Sequence, residues 1–199
     1  MKIRGSLAGD VAHGAFGFAL VGVASFSIWA CCAGWFQGRG GEPAMYAAIA
    51  LAFLALSVLV LAPLAGGAGR FMRAFYPAFL AYAVLWSAAW FAMPNRAGEW
   101  TGAALGCLVF AWLLLRLLGR RGGWLASALV FFALHTVGYF AGSWAMYDYW
   151  LGGFKAGQFA DMTRAQAALY AKLSWGLCYG LGFGAGIGLL MHGARRKAA

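Results

Sequence analysis

Residues 44–65 read AMYAAIALAFLALSVLVLAPLA, a run without one charged side chain. A helix needs about 20 predominantly apolar residues to cross a hydrocarbon core about 30 Å thick, so this stretch predicts a transmembrane helix. Five more blocks pass the same test on either side of it: residues 7–36, 73–93, 101–118, 124–144 and 167–192. Together they predict an all-α polytopic membrane bundle of six transmembrane helices with short loops, a single transmembrane domain over residues 1–199. Composition gives the same class independently. With 64% of residues hydrophobic, 10% charged and a mean hydropathy of +0.75, a soluble fold of 199 residues has no means of hiding its apolar surface. The start, MKIRGSLAGD, is basic like a signal peptide, but the apolar stretch after it outruns the roughly 7–15 residues of a signal core, so it reads as a retained first span.

Lys and Arg near span ends resist translocation and so set orientation. Ten of the fifteen fall on one side: Lys2, Arg4, Arg70, Arg73, Arg116, Arg120, Arg121, Arg195, Arg196 and Lys197. The other five are Arg39, Arg96, Lys155, Arg164 and Lys172, in company with Glu42, Glu99, Asp148 and Asp161. Both termini are therefore expected in the cytoplasm, with the chain in a bacterial inner membrane. The net charge of +10 is met by topology and anionic headgroups, so membrane lipids are expected partners and nucleic acid is not.

Connections such as QGRGGEP, GGAGR, PNRAGEW and GRRGG are rich in turn formers and hold successive helices antiparallel. Only residues 146–165, MYDYWLGGFKAGQFADMTRA, are long enough to suggest a loop of substance. It reads as an interfacial lid of aromatics, or as a cap over an outward pocket with Asp148, Lys155 and Asp161 as its polar groups.

In the last span Gly176, Gly180, Gly184 and Gly188 repeat every fourth residue, a glycine-zipper pattern that lets another backbone approach closely. That partner is a helix of the same chain, a second copy, or another membrane protein. Lys172 and His192 extend the row to the two membrane faces. Phe75, Phe79, Tyr82, Trp86 and Trp90 form an aromatic row on the third span, suited either to an apolar ligand or to packing on those glycines.

His135 falls near the middle of the fifth span, with Tyr139 and Ser143 following at helical steps. A polar strip at that depth faces the bundle interior and is the candidate ligand or pathway lining, with Asp148 beyond it. His13 and His192 lie near one membrane face and are the two histidines a haem could use, while Asp10 stands one turn before His13 as a hydrogen-bond partner. No cofactor is expected, since neither a haem-binding context nor metal-ligand spacing is present, and Cys31, Cys32, Cys107 and Cys178 make no redox motif. Ser143 and His135 share one helix two turns apart, which does not make a nucleophile and base. No motif identifies a reaction, so enzymatic activity is not expected. Transport of a small solute or ion leads, ahead of a lipid- or hydrophobe-binding module and a haem-carrying or enzymatic membrane subunit.

Overall fold

The computed structural model describes residues 5–120 and 122–196. Lys2, Arg4, Arg121 and Lys197 of the charge count, and the side chain of Arg196, lie outside the described residues. The chain is 87% helical, with no strand among those residues. Six helices are long and apolar enough to cross a membrane: α1 (Leu7–Phe36), α2 (Gly41–Ala65), α3 (Ala68–Ala92), α4 (Arg96–Leu117), α5 (Trp124–Ser143, prolonged to Lys155) and α6 (Arg164–Arg196). The protein is an integral membrane bundle. Outward-facing side chains agree, since Phe16, Leu59, Phe91 and Val137 are each at least 70% exposed, which suits lipid and not water.

Local chemistry sets the helix ends. Ser6 Oγ accepts from the Gly9 amide at 3.0 Å, and Asn95 Oδ1 accepts from Ala97 and Gly98 at 2.8 and 3.3 Å. Thr163 and Gln166 make a reciprocal capping box at the start of α6, with bonds of 2.8 and 3.2 Å. At the end of α2, Gly66 takes the left-handed conformation, φ 84°, and the chain reverses into α3 within two residues.

The helices close a ring in chain order, with α6 packed against both α1 and α5. We call the end where α1 begins and α6 ends the terminal face and the opposite end the far face. Glycine decides how closely α6 approaches its neighbours. A Cβ at Gly180 would lie 2.5 Å from the Ala19 Cα, and one at Gly22 would lie 2.6 Å from the Gly176 carbonyl. Gly14, Gly184 and Gly188 meet in the same way, backbone on backbone, and Gly138 packs on Gly182 along α5. The four-residue row is thus filled by α1 of the same chain, so it is not a free surface for a second copy or another protein.

The aromatic row of α3 does not meet those glycines. Its partners are Gly106 of α4 under Tyr82, Gly102 under Trp86, and aromatic rings from the other helices. Phe18, Phe75, Phe110, Phe131 and Phe183 are fully buried and fill the terminal half of the bundle, with centroid spacings such as 5.1 Å for Phe18–Phe183 and 5.0 Å for Phe131–Phe183. Such pairs contribute about 0.5–1.5 kcal/mol each beyond area burial, which matters where lipid offers no hydrophobic drive.

The expected loop over residues 146–165 is mostly helix. The fifth span continues as a π-helical segment, Trp144–Gly152, and one further turn, Gly153–Lys155, so that only residues 156–163 form the connection. Gly152 and Gly153 read as turn formers but sit in right-handed helical conformation, with φ of −67° and −59°. Packing overrides them: the Trp150 indole N–H donates to Ser174 Oγ at 2.9 Å, and its ring lies 5.1 Å from Tyr170.

Candidate functional site

Helical steps of four put His135 and Tyr139 on the inner face of α5, where both are buried. His135 Nε2 lies 2.8 Å from the Tyr82 hydroxyl of α3, and the Tyr179 hydroxyl of α6 donates to Tyr82 at 3.4 Å. A donor order from Tyr179 to Tyr82 to His135 makes Nε2 the acceptor and places the ring proton on Nδ1. That Nδ1 has no partner among the described residues. An unpaired donor at this depth costs about 1–3 kcal/mol, and such groups call for an explanation beyond packing. Tyr139 stacks on the imidazole, 6.0 Å away and 13° from parallel, and forms the step from this buried triad toward the far face.

Beyond Tyr139, toward the far face, the helices part around a half-open cavity of about 440 Å³. Four tryptophans, Trp29, Trp86, Trp90 and Trp175, line it, joined by Phe26, Tyr139 and Tyr147. Its polar groups are Ser143 and Glu99, whose side chain is 15% exposed. Trp86, also in the wall, buries an indole N–H that has no acceptor among the described residues. A broader depression of about 520 Å³ lies over residues 158–162 and Gln166, but it is an open surface groove with Phe159 as its one aromatic lining residue.

No protein-family model, curated protein or solved structure matches this chain.

The polar strip of the fifth span divides between two places: His135 belongs to the buried triad, and Tyr139, stacked on its ring, lines the cavity with Ser143. Asp148 is exposed on the π-helical segment and takes no part in the cavity, because the unbroken helix carries it past the mouth. Tyr82 is legible in the sequence only as one aromatic of the α3 row, and Tyr179, between Cys178 and Gly180, belongs to no pattern that singles it out. Glu99 counted as a loop charge, yet the Asn95 cap starts α4 early enough to set Glu99 on its first turn, against the cavity.

At the terminal face, Asp10 pairs with His192 and not with His13. Asp10 Oδ2 lies 2.6 Å from His192 Nδ1 and also forms an ion pair with Arg195. The cause is the glycine seam: Gly188 rests on the Asp10 backbone, so the next turn of α6 brings His192 onto the carboxylate. His13 Nε2 instead lies 2.8 Å from the Val60 carbonyl of α2. The two histidines proposed as a haem pair are therefore turned toward different helices. Among the described residues, no group of three His, Cys, Asp or Glu side chains is placed to hold a metal ion.

Proposed function

We propose that this protein is a small carrier that receives a solute through the far face, with the terminal face in the cytoplasm. The supporting observation is the one-sided interior: an aromatic cavity reaches Tyr139, and stacked Phe side chains fill the bundle from there to the terminal face. That is the form of a carrier open to one side. The orientation rests on the excess of basic residues toward the terminal face, and a bacterial inner membrane is the setting that bias fits.

Packing supplies the parts that would move. Helices α1, α5 and α6 are joined by glycine seams, and α3 and α4 by Gly102 and Gly106. Between these two groups the contacts are aromatic side chains, such as Trp100 on Phe140 at 5.0 Å and Phe110 on Phe131 at 5.0 Å. Tyr82 makes side-chain hydrogen bonds across the boundary, with His135 and Tyr179. The cavity lies along this boundary, with Trp86, Trp90 and Glu99 on one group and Trp29, Tyr139 and Trp175 on the other. Rocking one group against the other would close the cavity and open the terminal half. A rigid bundle with the same cavity would instead be a hydrophobe-binding module, the reading favoured by the tight Phe packing.

Accessibility tests the direction of entry. In a variant with Cys31, Cys32, Cys107 and Cys178 replaced by serine or alanine, Ser143→Cys should react in intact cells with a membrane-impermeant maleimide. Reaction only after the cytoplasmic side is exposed would contradict the proposed entry.

A further inference from the structure

The aromatic rings that line the cavity pack on one another, Trp86 and Trp90 nearly parallel at 6.0 Å and 14° and the others at steep angles. Trp175 lies 83° from the plane of Phe26 at 5.3 Å and 80° from that of Tyr139 at 5.9 Å, while Trp86 is inclined 58° to Tyr139 at 6.0 Å. Rings packed at these spacings form a continuous aromatic lining that offers both π-faces and ring edges to the cavity. The one carboxylate in the lining is Glu99, and neither Lys nor Arg lines the cavity.

From this geometry we propose that the cavity binds a compact organic ammonium, with the cationic group among Trp86, Trp90, Trp175 and Tyr139 and Glu99 as its counter-ion. The inference rests on the cavity being the solute site. Aromatic faces attract cations through the negative face of the ring quadrupole, and a ring of such faces is a known solution for quaternary ammonium groups. The wall already displays this chemistry: the Lys172 ammonium sits 4.5 Å from the Trp29 ring centroid. Glu99 is engaged by Arg96 at 3.2 Å, but the Arg96 side chain is 71% exposed. Such a solvated pair is weak, so an ammonium held inside the cavity competes for the carboxylate. A primary or fully hydrated metal cation fits less well, because the lining offers few oxygens to replace its water.

Choline and its neutral carbon isostere, in which a quaternary carbon replaces the nitrogen, separate charge from shape. Equilibrium binding to the purified full chain in mild detergent should be saturable for choline and at least about tenfold weaker for the isostere. Glu99→Gln, close in size to the native residue, should weaken choline by about tenfold, and Trp90→Leu by a similar factor. Asp148→Asn, outside the cavity, should leave binding unchanged. Equal binding of choline and the isostere would overturn the ammonium assignment while keeping the cavity as an apolar solute site. If neither compound binds, the ammonium assignment also fails, and Ser143→Cys labelling then decides separately whether the cavity is an entry site.

Discussion

Replacing Gly184 with leucine is expected to abolish the folded protein. A Cβ there runs into the Gly14 carbonyl and comes within 2.6 Å of the Phe18 Cβ, and neither atom is the free end of a flexible side chain. Overpacking typically costs about 1–3 kcal/mol. Here the cost is larger, since moving α6 off α1 also disturbs Gly138 on Gly182 across the same helix. Lipid supplies no hydrophobic drive to hold the helices together against that strain. The monodisperse peak in gel filtration should fall below about a tenth of the wild-type yield. Gly34→Leu is the control: the added Cβ meets nothing within 4 Å, so its yield should match wild type. Normal recovery of Gly184→Leu would mean that α1 and α6 are not packed backbone to backbone.

Tyr82→Phe should have the second largest effect, on the balance between conformations and not on folded yield. The lost hydroxyl serves both His135 and Tyr179, and it carries the bridge between the α3–α4 pair and the α1–α5–α6 group. Hydrogen bonds within membranes average about 0.6 kcal/mol and reach about 1.7, so losing two amounts to roughly 1–3 kcal/mol. Since about 1.4 kcal/mol is tenfold in a population, the shift should be at least several-fold. His135→Ala removes one of the two bonds and leaves that of Tyr82 with Tyr179, so it should act in the same direction by a smaller amount, with near-normal yield. If both variants change only thermal stability, then His135 is a packed core residue and the triad has no part in gating.

Several of these parts were legible in the sequence. Residues 44–65 and the blocks around them place six helices because helix length and bilayer thickness are matched physically. His135, Tyr139 and Ser143 fall on one face because steps of four do so on any helix. Partner choice is different, since it depends on register between helices, which one chain's periodicity does not encode. Hence the glycine row announced a close approach without saying that α1 would fill it, and Asp10 met His192 from the far end of the sequence instead of neighbouring His13. The Trp144–Gly152 segment was hidden for a related reason: its helix is held by Ser174 and Tyr170 of α6, against the turn preference of its own glycines.

Relative motion of the two helix groups is the most direct test. Spin labels at Ala97→Cys on α4 and Ala165→Cys on α6, both exposed at the far face, report the width of the cavity mouth in a chain freed of native cysteines and placed in liposomes. The carrier account predicts two distance populations by pulsed electron resonance, whose ratio shifts when Tyr82→Phe is added. A single narrow population, the same with and without that substitution, would contradict it and leave a rigid binding bundle.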